Sequence, residues 1–140
     1  MPVLGTRIIY DALNARQKEI YNYQKVSALF ADFGYTTIQL SDDWMGADFI
    51  AIRFDGAQYI KVQLKGRFGF WKKYRGKDLF ICFHDAATNK WFLYSHDRLL
   101  KDKEDEFRNT RAWREMGEYH YPSLNAGNRD LLNKKGEVLN

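Results

Sequence analysis

The stretch that decides the fold is GADFIAIRFDGAQYIKVQLKGR, residues 46–67. Asp48 to Phe54 reads as a strand rich in β-branched and aromatic residues. Asp55-Gly56 is a two-residue hairpin turn, and Gln58 to Leu64 returns antiparallel to the first strand. With Asp55 and Gly56 at the centre of the turn, Phe54 pairs with Ala57 and Asp48 lies opposite Gln63. If the turn slips to Gly56-Ala57, Asp48 faces Lys65 instead. In either register Asp48, Gln63 and Lys65 share one face, because side chains alternate with period two. Ile60, Val62 and Leu64 point the other way, toward a core. The face of Asp48 is otherwise apolar on its own strand (Ile50, Ile52, Phe54), so polar groups gather at one end of it. A carboxylate, an amide oxygen and an ammonium there have a chemical use. Oxygen donors suit Mg²⁺, which keeps several waters and takes one or two protein carboxylates. A lysine beside it can orient an attacking water and offset charge developing on a phosphate.

Upstream, residues from about Asp11 to Phe33 contain neither Pro nor Gly. Val26, Leu29, Phe30 and Phe33 fall at helical spacing, and Gly34 stops the helix. Followed back by whole turns, the stripe meets Asn22 or Tyr23 and then Glu19, which is expected on or near the buried face. Tyr35 to Leu40 is a strand and Ser41 to Ala47 a loop. Downstream, Asp78 to Phe83 and Lys90 to Tyr94 are further strands, the former nearly all apolar and central. Ser95 to Leu100 begins a short helix capped by Ser95. The last forty residues hold eight basic and eight acidic residues and no long apolar pattern. Short helices are expected there at Ala112 to Gly117 and Asn128 to Lys135. The fold class is α+β, a mixed sheet of about five strands flanked by helices. Its core domain covers residues 1–100, with a C-terminal extension, 101–140, packed on the core or trailing from it.

An Asp, fourteen residues and then Gln-x-Lys across a hairpin, after a long helix, resembles the PD-(D/E)XK nuclease superfamily, the restriction-endonuclease-like proteins. The resemblance runs from about Ala15 to Leu100. Asp48 matches the motif's Asp, and Gln63 and Lys65 match its (D/E)xK element. Ala47 stands where the motif has Pro. Gln63 replaces the usual acid, as in Mrr-type restriction enzymes. The resemblance implies a core of helix, three-stranded meander, second helix and further strand. It also implies a metal-dependent nuclease hydrolysing phosphodiester bonds in DNA, with Mg²⁺ as cofactor and Mn²⁺ as a substitute. Asp48, the Gln63 side-chain oxygen, the Leu64 carbonyl and a helix acid, here Glu19, would hold the metal; Gln24 is a polar alternative on that helix. Lys65 would position the attacking water. Many relatives act as homodimers.

Lys61 to Lys77 carries seven basic residues and no acidic one, more positive charge than the formal +4 of the whole chain. Phe68, Phe70, Trp71 and Tyr74 are interleaved with them. Charge focused this way is the footprint of phosphate binding, and Gly66, Gly69 and Gly76 make the segment loop-like. Arg67, Lys72, Lys73, Arg75 and Lys77 are expected to hold a nucleic-acid strand. Trp71 and Tyr74 either stack on bases or anchor the loop. A catalytically inactive nucleic-acid binder on the same scaffold is the alternative, supported by the neutral Gln63. A protein-interaction module using the aromatic loop is another.

The chain is 140 residues, 45% hydrophobic and 16% aromatic, enough apolar mass for one core. A single cysteine, Cys82, excludes an internal disulfide and a multi-cysteine zinc site, and its apolar setting makes it a core residue. His84, His96 and His120 lie on different elements in no zinc-binding spacing. Asp42 and Asp43 read as turn formers, with contact to a metal through water as the alternative for one of them; Trp91 and Trp113 read as packing residues. No apolar run is long enough to span a membrane and no signal-peptide core opens the chain, so a cytoplasmic protein is expected.

Overall fold

The computed structural model describes residues 2–140. Helix α1 (Ala15–Asp32) begins at a reciprocal cap. Asn14 Oδ1 accepts from the Gln17 amide at 2.8 Å, and Gln17 Oε1 accepts from the Asn14 amide at 2.9 Å. The helix therefore starts later than the Pro- and Gly-free run, and Tyr10–Ala12 forms a separate 3-10 turn. Val26 and Phe30 are buried, and Gly34 ends the helix with φ +80°. A Cβ on Gly34 would lie 2.9 Å from the Phe54 ring. The Phe54 amide donates to the Gly34 carbonyl at 2.7 Å, tying the hairpin tip to the end of α1.

Strands β1 (Tyr35–Trp44), β2 (Ala47–Arg53) and β3 (Tyr59–Leu64) form an antiparallel meander. Strand β1 runs through most of the segment expected to be a loop. It is irregular between Gln39 and Trp44, then pairs Trp44 with Ala47 across a two-residue turn. Met45 (φ 56°) and Gly46 (φ 83°) both occupy the left-handed region there, the signature of a type I′ turn. Between β2 and β3, Phe49 pairs with Val62 and Ile52 with Tyr59. That is the register in which Asp48 continues opposite Gln63. The loop is wider than a two-residue turn: Arg53 N donates to Gln58 O, Gly56 N donates to Arg53 O, and Phe54 and Ala57 stay unpaired.

The chain then makes β4 (Gly69–Trp71), a 3-10 turn (Lys72–Tyr74), β5 (Leu79–Asp85) and β6 (Lys90–Ser95). It continues through α2 (His96–Phe107), a π-type turn (Ala112–Met116), β7 (Glu118–His120), α3 (Ala126–Lys135) and β8 (Glu137–Val138). The architecture is α+β. One mixed sheet of six strands has the order β1-β2-β3-β5-β6-β8, and β4 pairs with β7 in a small second sheet. Among the described residues only β3 and β5 pair in parallel. The resemblance implies a helix between the meander and the next strand; this parallel crossover instead contains β4 and the 3-10 turn.

Alternation along β5 and β6 divides the core between the two faces of the sheet. Cys82 and Leu93 join Val26, Phe30, Phe49 and Val62 under α1. Ile81, Phe83, Phe92 and Tyr94 join Phe70, Leu99, Phe107, Trp113 and Leu132 on the other face. Helix α2 passes through position 100 without a break, so residues 101–140 continue elements of the same core. Phe107 stacks between Phe70 (centroids 5.5 Å apart) and Tyr119 (4.7 Å). Arg129 pairs with Asp85 at 2.9 Å, and β8 hydrogen-bonds along β6. Among the described residues no helix is long and apolar enough to cross a membrane.

Candidate active site

At the sheet end where β2 begins and β3 finishes, Asp48 Oδ2 accepts a hydrogen bond from the Leu64 amide at 2.9 Å. Both residues line a cleft of about 400 Å³ together with Glu19, Asp43, Gln63 and Lys65. Two adjacent strands thus bring the three hairpin residues expected at the site to one cavity, and the α1 acid borders it. Asp48 Oδ1 has no protein hydrogen bond among the described residues. Gln63 Oε1 is buried and has no partner there either. An unsatisfied buried oxygen costs roughly 1–3 kcal/mol, so its retention beside a carboxylate calls for an explanation. The Gln63 Nε2 contact to the Leu64 carbonyl is long, 3.4 Å. Lys65 Nζ lies 4.7 Å from the centre of the Trp71 ring and 5.3 Å from that of Tyr74, held by two aromatic faces.

The charges have been taken out of water and influence one another. Burial raises the Asp48 carboxyl above the usual carboxylate range, and Asp43 and Glu19 add to the rise. The Leu64 amide and the Lys65 ammonium pull the other way. Burial lowers Lys65 below an ordinary lysine and Lys73 lowers it further, against the pull of Asp48, Glu118 and Asp43. The Tyr74 hydroxyl is pushed up to about 12, first by burial and then by Asp48, Asp43 and Glu118. A partly desolvated seat with a negative field favours a cation.

Glu19 differs from its expected placement. Its side chain is 68% exposed and pairs with Arg16 at 3.1 Å, because β1 and β2 cover only the later turns of α1. It still borders the cleft, and its charge still reaches Asp48. Gln24 is exposed and lies outside the cleft lining. Asp42 and Asp43, expected as turn formers, sit on β1 at the cleft rim. Among the described residues no three His, Cys, Asp or Glu side chains gather as a metal cage. The donors present are the Asp48 carboxylate, one unpartnered amide oxygen, a main-chain carbonyl and the rim acids Glu19, Asp42 and Asp43. All are hard oxygen ligands, and they fit an ion such as Mg²⁺ that retains much of its water.

The basic segment is not a loop with rings free to stack. Phe68, Phe70, Trp71 and Tyr74 are all buried at 5% exposure or less. Of the two roles open to Trp71 and Tyr74, their burial leaves no face for stacking on bases and matches the anchoring one; they anchor the segment and hold Lys65. Arg67, Lys72 and Lys73 are exposed. Lys72 lies over the Trp113 ring at 5.2 Å, and Arg75 is paired with Glu104 at 2.7 Å. Lys77 lends its carbonyl to Lys61 Nζ.

Residues that the sequence did not single out fix this segment. The fully buried His96 accepts at Nε2 from the Trp71 amide (3.0 Å), which places its proton on Nδ1 for Asp97 (2.9 Å). Asp97 in turn accepts from the Gly76 amide at 2.8 Å. Burial holds His96 below the ordinary histidine value, matching the neutral ring this arrangement needs. The His-Asp pair at the start of α2 was the only available signal, and it reads equally well as ordinary helix capping.

No family model, curated protein or solved structure matches the chain.

Proposed function

We propose that the protein is a metal-dependent nuclease that hydrolyses phosphodiester bonds in DNA. The observation that carries the reading is the unpartnered, buried Oε1 of Gln63, in one cleft with the desolvated Asp48 carboxylate and the ring-held Lys65 ammonium. A purely structural hairpin end gains nothing from burying an acceptor unpaired beside a carboxylate. Asp48, Gln63 and the Leu64 carbonyl would hold Mg²⁺, with Glu19 reached through water. A bound Mg²⁺ supplies Lewis acidity and lowers the pKa of coordinated water.

The chain's own groups supply the remainder. Asp48 is oriented by the Leu64 amide, which fixes one oxygen and leaves the other without a protein hydrogen bond among the described residues. Lys65, with its head fixed over Trp71 and Tyr74, donates to the attacking water and to the phosphate oxygen on which charge develops. Lys72, Lys73 and Arg67 hold the flanking backbone through charge alone, so affinity should fall with salt.

A catalytically inactive nucleic-acid binder is the second reading, favoured by the neutral Gln63 and the peripheral Glu19. Incubating plasmid, linear and single-stranded DNA with Mg²⁺, Mn²⁺ or EDTA separates the two. Hydrolysis that needs the metal, disappears in Asp48→Asn and falls steeply in Lys65→Ala, both still folded, is the expected result. Metal-independent binding with no cleavage of any of these DNAs would leave only the binder.

A further inference from the structure

The cleft holding Asp48 and Lys65 does not end at those residues. Asn22, Lys65, Gly66 and Trp91 border it and also a second groove of about 900 Å³, between the outer side of α1, the N-terminal 3-10 turn and the β5–β6 turn. That volume lies within the range of pockets that enclose an organic ligand. Its walls are aromatic. Tyr10 and Tyr21 meet edge to face at 5.2 Å, and the His84 and Trp91 rings lie 4.8 Å apart. Lys25 and Lys65 are the cations of its lining, with Lys25 Nζ 5.4 Å from the Tyr21 ring; Lys18 Nζ, 5.1 Å from the Tyr10 ring, stands outside the lining and is paired at 3.4 Å with Asp11, the one acidic side chain that borders the groove. Amides interleave with the rings. Asn22 Nδ2 reaches the Tyr10 hydroxyl at 3.0 Å, and Asn89 Oδ1 the His84 ring at 2.8 Å.

Flat rings, side-chain amides and ammonium groups in one concave site match the chemistry of a nucleobase on a phosphate backbone: π-faces to stack on, polar edges to bond and a negative strand to neutralise. Inside a duplex both faces of a base are covered by its neighbours, so only an unpaired or extruded base can enter such a groove. Its mouth is shared with Lys65, so the base would adjoin the phosphate held there. We propose that this groove seats an unpaired nucleobase next to the scissile phosphodiester, making single-stranded or locally unpaired DNA the preferred substrate. The preference for cutting rests on the nuclease reading; the base site itself does not.

The test measures binding without cleavage. A short labelled single-stranded oligonucleotide and the corresponding duplex are titrated with the full chain in EDTA and followed by fluorescence anisotropy. The single strand should bind more tightly. Tyr21→Ala, on the outer side of α1, should weaken single-strand binding about 5- to 100-fold, the worth of one stacked base, and leave duplex binding nearly unchanged. Tyr21→Phe keeps the ring and should bind like the parent, which separates loss of stacking from damage to the helix. Equal affinity for duplex and single strand, or a Tyr21→Ala variant that binds the single strand like the parent, overturns the proposal even if Mg²⁺-dependent cleavage is found. Tyr21-dependent single-strand binding in a protein that cuts no DNA supports the base site and removes the nuclease reading instead.

Discussion

Asp48→Asn separates a metal ligand from a structural cap. In the folded chain burial outweighs the Leu64 amide and the Lys65 ammonium, so the Asp48 carboxyl titrates above its usual range. A carboxyl raised in this way favours the folded state only while it is protonated. That contribution is complete below the unfolded value, about 3.9, and is lost as pH rises through the folded value. At neutral pH the ionised carboxylate therefore weakens the fold. Asn has nearly the same shape, keeps an oxygen to accept from the Leu64 amide and has no charge to desolvate. In EDTA at pH 7 the variant should be more stable than the parent by on the order of 1 kcal/mol, or about 4 °C in Tm for a chain of this size. The difference should shrink through the acid range and close near the unfolded carboxyl value. Magnesium should invert the order. A cation at about a hundred times its Kd stabilises the state that binds it by about 2.7 kcal/mol, and the parent should gain this while the variant gains little. Thermal melts followed by circular dichroism, with and without MgCl₂ across this pH range, provide the readout. A variant less stable than the parent in EDTA at pH 7 would make Asp48 a net-stabilising cap on the Leu64 amide and refute the reasoning.

Other perturbations follow from the same geometry. Lys65→Ala should lower the cleavage rate about 10²- to 10³-fold, as expected for removal of one group aimed at developing charge, with little change in Tm; a rate within a few-fold of the parent's would exclude the role. The Lys73 charge depresses Lys65, so Lys73→Gln should raise the Lys65 pKa and keep it protonated further into the alkaline range. The alkaline limb of the pH–rate profile should then move to higher pH, and a stationary limb would assign that limb to another group. Phe107→Ala should destabilise the whole chain by about 3–5 kcal/mol in a single transition, because Phe107 is fully buried among rings from both sides of position 100. A separate melt of residues 101–140 would contradict the single core.

Asp48, Gln63 and Lys65 could be located from sequence because each side chain's direction is set by period two along its strand. Either candidate register kept the three together, so the outcome did not depend on the turn, whose loop is in fact wider than two residues. Glu19 was harder to place. A helix residue's position depends on phase and on how far the sheet extends beneath the helix, and the early turns of α1 pass beyond that cover, leaving Glu19 paired with Arg16 in solvent. The far half of β1 escaped for a related reason. As an edge strand it is mostly exposed, so nothing imposes apolar alternation on Ser41, Asp42 and Asp43, and Met45 gives no turn signal at a left-handed position. Composition misled most at Gly66 to Gly76, where lysines and glycines suggest a loop. There the alternating rings are the real pattern: they are buried by β7, His96 and Phe107, partners distant in sequence.

That inversion changes what the aromatic residues mean for the site. Rings beside lysines at Trp71 and Tyr74 suggested stacking on a ligand, yet each presents its face to Lys65 and is otherwise enclosed. Within the groove beside α1 the open or half-open rings include Tyr10 and Tyr21, which no motif marks because they sit outside the strand-turn-strand unit and belong to the groove only through the packing of α1. A ring buried under a lysine fixes the position of a charge, whereas a ring open in a groove offers area to a partner, and the two cannot be told apart by adjacency in sequence. Burial separates them. It assigns charge placement to the segment after β3 and leaves base contact to the outer side of α1, so substitutions in the two places should fail differently. Loss of the first kind of ring should lower turnover at unchanged single-strand affinity, and loss of the second should lower affinity first.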